Sequence, residues 1–249
     1  MKKLILHIPH ASIKIPHYDG FIIGAEKLEL EILKLTDWYT DDLFGGTDDV
    51  KVKADFSRVF CDVERFSDDA IEEMAEYGMG VTYTATDAGE PLRYLTAMQR
   101  QHILDKYYWT HHKMLNDAVS RSLSEHGEAL IIDCHSYSNQ PFKRDLNQVP
   151  NRPDYCIGTD DFHTSQKLID ACVEFFNSRD LSLGVNKPYG GTIVPLQFYK
   201  KNRNVQSVML EVNRKLYLHD CTCDRSPNYN STKEVVKEFI IFLREESNS

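Results

Sequence analysis

Two histidines in this chain stand where short apolar runs end, and they could share a metal ion. The apolar run 129–132 leads into Asp133 and His135, and a second run near the start of the chain leads to His10. Open α/β folds bind ligands at the carboxyl edge of the sheet, and imidazole and carboxylate groups are zinc ligands. A single histidine of this kind is more often a capping or packed imidazole. Two such histidines, with acidic residues close in sequence, favour a metal site.

A third ligand is needed, because catalytic zinc takes three protein ligands and keeps an open position. Asp37 is the best candidate, and Asp41 lies on the same face if this stretch is helical. The alternative is a charged helix N-terminus, favourable to the helix dipole. His7 shares a His-x-x-His element with His10. In an extended segment their side chains point to opposite sides, so only one is expected to bind metal directly.

Glu211 lies inside the apolar run 208–212 and is the candidate general base. An interior glutamate is costly unless it is paired or lies near a metal. Burial would raise its pKa towards the range that is useful in acid–base catalysis. The alternative is a structural salt bridge to Arg214 or Arg58.

Further charged residues could hold an anionic substrate. The segment 57–62 reads as a strand on which Arg58 and Asp62 face one side, with Arg65 just past its end. Arginines can grip carboxylates bidentately, although ordinary surface ion pairs are the alternative. His112 lies on a long helix and is expected to support the site without binding the metal.

The elements that must position these residues alternate along the chain, which predicts one α/β domain over 1–249, built around a mixed sheet. The predicted strands are 3–8, 50–54, 57–62, 129–134, 154–159, 183–187 and 206–213. The predicted helices are 26–34, 36–44, 68–76, 95–125, 161–178 and 231–245.

Two segments are predicted to form loops beside the site. The polar, proline-containing segment 139–153 follows the Asp133 and His135 strand directly. The second segment contains Tyr189 and Gly190 in a glycine-rich stretch. Its alternative role is a turn that needs a positive φ.

Composition excludes several functional classes. The net charge is −9, which argues against nucleic-acid binding. No apolar run approaches the ~20 residues of a membrane span, and the start of the chain is too short in apolar residues for a signal peptide. A cytoplasmic protein with a small-molecule ligand is therefore expected. The six cysteines read as buried thiols. Cys221-Thr222-Cys223 has one intervening residue instead of the two that are usual in zinc knuckles.

Most of the chain resembles the N-formylglutamate amidohydrolase family. No single motif is decisive, but their order and spacing together are specific. The motifs are Pro9-His10-Ala11-Ser12 with Ile15-Pro16, Thr36-Asp37-Trp38-Tyr39-Thr40-Asp41, Arg58 with Asp62 and Arg65, Tyr107-Tyr108 with His112 and Leu115, Asp133-Cys134-His135-Ser136, Asn186-Lys187-Pro188-Tyr189-Gly190-Gly191, and Leu210-Glu211-Val212-Asn213-Arg214.

The resemblance implies a three-layer α/β/α sandwich with a mixed central sheet, related to zinc carboxypeptidases and aspartoacylase-type deacylases. It also implies zinc-dependent hydrolysis of an amide, with one Zn²⁺ per chain. His135 would be the ligand of the Asp-x-His motif, and His10 and Asp37 would complete the site. Glu211 would be the catalytic glutamate, with Asp133 supporting His135.

The arginines of the site have two expected roles. Arg58, Arg65 or Arg214 would polarise the carbonyl oxygen of the scissile amide or hold the carboxylates of the substrate, with Arg58 assigned to catalysis. The substrate-binding candidates are Asp62, Arg65, Tyr189, Gly190 and Arg214.

Three departures from the family pattern bear on the substrate. Pro9-His10-Ala11-Ser12 lacks the glycine of the family motif, Glu64 replaces a neutral amide, and His111 stands in place of a tyrosine. The acyl-amino acid is therefore expected to differ from formylglutamate. Rival functions are a peptidase or another deacylase on this fold, and a non-catalytic ligand-binding protein. A serine hydrolase using Ser12 or Ser136 is disfavoured, because neither lies in Gly-x-Ser-x-Gly.

Overall fold

A single six-stranded sheet organises the computed structural model, which describes residues 3–219 and 222–247. Its strands are β1 (Ile5–Ile8), β2 (Val50–Lys53), β3 (Ala129–Tyr137), β4 (Tyr155–Gly158), β5 (Leu183–Val185) and β6 (Val205–Asn213). They lie in the order β2-β1-β3-β6-β4-β5. The first four in this order run parallel, whereas β4 is antiparallel to β6 and β5 follows the direction of β4. The predicted mixed α/β sheet is confirmed.

Helices cover both faces of this sheet. They are α1 (Ala25–Leu35), α2 (Thr40–Leu43), α3 (Ala97–Ile103), α4 (Trp109–His126), α5 (Gln166–Asn177) and α6 (Tyr229–Glu246). Apolar residues of α5 and α6 pack with Leu6, Ile132 and Leu210 in one core. On the opposite face, residues of α4 pack against Ile5 and Ile131. The arrangement has three layers, and each layer buries one apolar face of its neighbour.

The central strand β3 is buried along all nine of its residues, as expected for a parallel strand covered on both sides. Alternate side chains face opposite cores, so Asp133 and His135 share the α4 face with Ile131. The strand register places His7 opposite Asp133 and His135 opposite Glu211. This periodicity collects polar side chains at the carboxyl ends of three parallel strands.

Three of the predicted elements are wrong or shortened. Residues 57–62 form turns and not a strand, because the backbone N–H groups of Phe60 and Cys61 donate to the carbonyl of Ser57. The helix predicted over 36–44 is reduced to α2, because Tyr39 takes a left-handed conformation with φ of 60°. The helix predicted over 68–76 is only a 3₁₀ turn, Glu73–Tyr77.

The helix predicted over 95–125 forms as two helices joined by a π-helical turn, Leu104–Tyr108. Thr96 and Gln99 make a capping box at the start of α3, and Gly127 ends α4 with φ of 76°. The helix predicted over 161–178 starts later, at Gln166, where Ser165 caps it.

Four cysteines, Cys61, Cys134, Cys156 and Cys172, are buried free thiols, and Cys223 is partly exposed. Cys221 lies outside the described residues, so the Cys221-Thr222-Cys223 segment stays untested. Among the described helices, none has the length and apolar character that a membrane crossing requires.

Candidate metal centre and active-site cavity

His10, Asp37 and His135 converge at the carboxyl edge of the sheet, and each offers a donor atom within 4.8 Å of the other two. His10 follows β1, Asp37 follows α1 and His135 lies on β3. Asp37 Oδ2 lies 3.0 Å from His135 Nδ1 and 3.7 Å from His10 Nδ1. The Asp37 backbone N–H also donates to the His10 carbonyl at 3.0 Å, which fixes the two ligand segments together.

The donor set fits a divalent metal ion such as zinc. His10 Nδ1 is buried and has no hydrogen-bond partner in the described chain, while its Nε2 donates to Asp62 Oδ1 at 2.9 Å. His135 Nε2 lies 3.2 Å from Asp133 Oδ1 and 3.0 Å from Glu64 Oε2. Metal-binding histidines commonly donate the second ring N–H to a carboxylate in this way. Both Nδ1 atoms are thus left facing Asp37.

In the absence of a bound metal ion, electrostatics favour an ionised Asp37 and a protonated His135. Burial opposes the charged form of Asp37, but hydrogen bonds from His10 and His135 outweigh it and hold the pKa of this carboxyl well below its usual range. Burial also opposes charge on His135, but the carboxylates of Glu64 and Asp133 raise the pKa of this imidazole well above its usual range. A metal ion would replace the His135 proton, since ligating imidazoles are neutral.

His7, Glu64 and Asp133 form a second group with the donor geometry for a cation. His7 Nδ1 lies 2.8 Å from Asp133 Oδ1 and 3.5 Å from Glu64 Oε1. The other His7 nitrogen lies 2.8 Å from His111 Nε2, and Asp133 Oδ2 accepts the Ile193 backbone N–H at 3.0 Å. These bonds satisfy Asp133 and His7 inside the protein, and they anchor the strand end that carries His135.

Glu211 is buried on β6, opposite His135 in the strand register. Its Oε2 has no hydrogen-bond partner, and no salt bridge joins it to Arg214 or Arg58 within residues 3–219 and 222–247. Burial is the main reason that its pKa rises to about 8, with His135 opposing the rise. A buried carboxyl group with a pKa in this range could accept and return a proton near neutral pH.

Residues of this site line one cavity of about 190 Å³. The candidate ligands His10, Asp37 and His135 form part of its wall together with Glu211. Four guanidinium groups also line it, those of Arg58, Arg65, Arg144 and Arg214.

The family model described as FGase, N-formylglutamate amidohydrolase, matches residues 2–218. The chain belongs to the N-formylglutamate amidohydrolase family. It is similar in structure to an N-formylglutamate amidohydrolase from Ralstonia eutropha JMP134, with a TM-score of 0.85 and 22% identity over 98% of this chain and 93% of the other.

A gene product of Agrobacterium tumefaciens is also similar, with a TM-score of 0.71 and 16% identity over 99% of this chain and 92% of the other. No curated protein sequence matches the chain. Because both sequence identities are low, the two structures support only the fold of this chain.

Two of the candidate arginines, Arg58 and Arg214, already donate hydrogen bonds to other residues of the protein. Arg58 donates to Asp62 Oδ2 at 2.9 Å and to the Tyr83 hydroxyl at 3.1 Å. The two residues were expected on a strand, but they pair as positions i and i+4 of a turn. Arg214 donates to Asp37 Oδ1 at 3.0 Å and to the Ser136 carbonyl at 3.1 Å.

Tyr189 and Gly190 line the cavity, as the loop that follows Lys187 folds back over the sheet edge. The Tyr189 hydroxyl donates to Asp145 Oδ2 at 2.8 Å and accepts from Arg152 Nη1 at 3.1 Å. The positive φ that the glycine pattern suggested is found at Gly191, with φ of 84°.

The imidazole of His112 supports the site by binding the backbone of a neighbouring segment. Its Nε2 donates to the Val63 carbonyl at 2.8 Å, and the Tyr108 hydroxyl donates to the Arg65 carbonyl at 2.9 Å. Burial lowers the pKa of His112 to about 4, with His7 contributing, so the imidazole stays neutral at physiological pH. Tyr108, at the end of the π-helical turn, and His112, on α4, therefore hold the segment 62–65, which carries Glu64.

Glu64 and Arg144 are among the cavity residues that sequence reasoning missed. Glu64 was visible as an acid in place of an amide, but its contacts with His135 and His7 depend on the turn at 62–65. Arg144 lies in the segment 139–153, which was predicted as a loop beside the site, although no local signal separated this arginine from its polar neighbours.

Proposed function

We propose that this protein is a zinc-dependent amidohydrolase that cleaves N-formylglutamate or a closely related N-acyl amino acid. The observation that carries the proposal is the meeting of His10, Asp37 and His135 with the unpaired Glu211 in one cavity. Family membership and the similarity to the N-formylglutamate amidohydrolase of Ralstonia eutropha support hydrolysis of an amide bond in a formylglutamate-like substrate.

His10 Nδ1, Asp37 Oδ2 and His135 Nδ1 would hold the metal. A bound zinc ion would supply a Lewis acid and would lower the pKa of a coordinated water from about 15.7 to about 7. Asp62 and Asp133 would orient the two imidazoles, because each accepts a hydrogen bond at the ring nitrogen that faces away from the ion.

Glu211 would move the proton of the reaction. Its carboxylate would accept a proton from the attacking water as the new C–O bond forms at the acyl carbon. The same proton would then pass to the leaving nitrogen as the C–N bond breaks, which gives formate and the free amino acid. The raised pKa of Glu211, about 8, suits a group that takes and returns a proton near neutral pH.

Arg58 would stabilise the oxyanion that develops on the acyl oxygen. Asp62 and the Tyr83 hydroxyl occupy its Nε and Nη2, which fixes the plane of the guanidinium. No bond within the described chain uses Nη1, so this donor remains for the substrate. Preorganised donors of this kind contribute about 2.7–4 kcal/mol to catalysis in well-studied hydrolases.

Release of formate from N-formyl-L-glutamate by the zinc-loaded protein tests the proposal. We expect saturable release that is lost when the metal is removed with a chelator and restored when zinc is added. N-acetyl-L-glutamate, run in parallel, would separate a deformylase from a broader deacylase. A folded, zinc-loaded protein that releases neither acid would contradict the proposed activity.

A further inference from the structure

Arg144 is the cavity arginine whose guanidinium has no ionic partner inside the described chain. Its Nη1 is buried and donates to no oxygen. No carboxylate among residues 3–219 and 222–247 forms a direct ion pair with the guanidinium. By contrast, Arg58 is paired with Asp62 and Arg214 with Asp37. A half-buried guanidinium with one buried, unsatisfied N–H group and no direct carboxylate partner is costly, so this geometry favours an anionic ligand.

Three acids around Arg144 are already used: the Glu31 carboxylate, which interacts with Arg144 without a direct ion pair, accepts the Asp87 backbone N–H at 2.6 Å, and Asp87 and Asp145 hold the loop. Asp87 accepts the backbone N–H groups of Arg144 at 2.9 Å and Lys143 at 3.1 Å, and it also pairs with Lys34. Asp145 accepts from Arg152 Nη2 at 2.8 Å. The Asp87 and Asp145 carboxylates therefore hold the loop 139–153 in place and leave the Arg144 side chain without a direct ion pair.

The same bonds preorganise Arg144. Asp87 ties the loop to the segment before α3, and Asp145 ties it to Tyr189 and Arg152 on the opposite side. The backbone of Arg144 is thus fixed on both sides before any ligand arrives. Preorganisation of this kind lowers the entropy that binding must offset.

Arg65 offers a second free donor in the cavity. Its Nε is buried without a hydrogen-bond partner, and the nearest carboxylate oxygens, those of Asp62 and Glu72, lie 3.9 Å away. Arg65 adjoins Glu64, which contacts His135, whereas no hydrogen bond or ion pair joins Arg144 to the candidate metal ligands within the described residues. Arg65 therefore lies beside the metal centre, whereas Arg144 is held in the cavity by the loop 139–153.

We propose that Arg144 binds the side-chain carboxylate of the substrate and so selects acidic over neutral N-acyl amino acids. The inference rests on the proposed function, which it deepens by naming the residue that reads the substrate's side chain. Arg65 is left to bind the α-carboxylate next to the scissile amide. The guanidinium can bind one carboxylate through two N–H groups, which a lysine cannot match.

The test compares N-formyl-L-glutamate with its uncharged isostere N-formyl-L-glutamine in the wild type and in Arg144→Met. We expect the substitution to lower kcat/KM for the glutamate compound by about 10- to 100-fold, mainly through KM, because it removes a charge-assisted contact. The glutamine compound should change little. Arg144→Lys should restore part of the preference, and Arg121→Met, which removes an exposed arginine of α4, should behave as wild type.

Equal losses on both substrates, or no loss on either, would overturn the role of Arg144. Calorimetry with L-glutamate and L-glutamine gives a readout that does not need turnover. If the wild type hydrolyses neither formyl compound, the proposed function fails, and calorimetry alone decides the inference. Tighter binding of glutamate that is lost in Arg144→Met would support it, and binding that is equal in both proteins or absent would refute it.

Discussion

Replacing Asp62 with asparagine should weaken metal binding without removing a ligand. Asp62 Oδ1 accepts from His10 Nε2 at 2.9 Å, and this bond leaves Nδ1 free to face Asp37. An amide can present its NH₂ group instead, which would favour the wrong tautomer of His10. Loss of such a supporting carboxylate typically costs 10- to 100-fold in metal affinity, or about 1.4–2.8 kcal/mol.

The same substitution removes the partner of Arg58, so folding must be measured alongside affinity. Asp62 Oδ2 accepts from Arg58 Nη2 at 2.9 Å and from the Tyr83 hydroxyl at 2.8 Å. Breaking a buried pair costs about 3–5 kcal/mol at most, and the Tyr83 contact with Arg58 remains as partial compensation. The stability readout is thermal unfolding of the metal-free protein.

The assay is competition for zinc with a chromophoric chelator at pH 7. The matched control is Asp145→Asn, which alters a cavity carboxylate that contacts Arg152 and Tyr189 and none of the candidate ligands. We expect Asp145→Asn to keep the wild-type affinity. A folded Asp62→Asn protein that also keeps the wild-type affinity would refute the role of Asp62 in orienting His10.

Two further predictions concern protons. Glu211→Gln should lower kcat by about 10²- to 10⁴-fold while zinc content stays unchanged, as measured by formate release and elemental analysis; loss of zinc in this variant would make Glu211 a ligand and not the base. Because the His135 proton must leave when metal binds, zinc affinity should increase as pH rises from 6 to 8, by about tenfold per unit for one proton released. Titration calorimetry in two buffers of different ionisation enthalpy counts that proton, and a pH-independent affinity would contradict the assignment of His135 as a ligand.

Strand periodicity made part of the site predictable. Asp133, His135 and Glu211 follow or interrupt apolar runs, and residues of parallel strands that end at one edge of a sheet must lie close together. His10 follows from the same reasoning, since β1 lies beside β3.

Asp37 shows where local patterns stop being informative. The sequence favoured a helix over 36–44, which would have placed Asp37 and Asp41 on one face. The left-handed Tyr39 separates them, so that Asp37 faces the histidines while Asp41 lies 3.5 Å from Lys53. Tertiary contacts decide such a conformation, and no local propensity encodes them.

The turn at 57–65 and the position of Arg144 within the predicted loop 139–153 escaped prediction for a related reason. The short apolar run at 59–61 imitates a strand, but the Ser57 carbonyl and hydroxyl hold the backbone in turns. The position of Arg144 depends on Asp87, 57 residues earlier in the chain. Contacts of this range arise only from the assembled fold.

The central claim is that His10, Asp37 and His135 hold one metal ion, and elemental analysis of the purified protein tests it most directly. The comparison is between wild type, His135→Ala and His126→Ala, the last being a control at the exposed end of α4. We predict one zinc per chain in the wild type and in His126→Ala, and none in His135→Ala. Zinc retained by His135→Ala, or a wild type that binds no divalent metal even after zinc is added, would contradict the account.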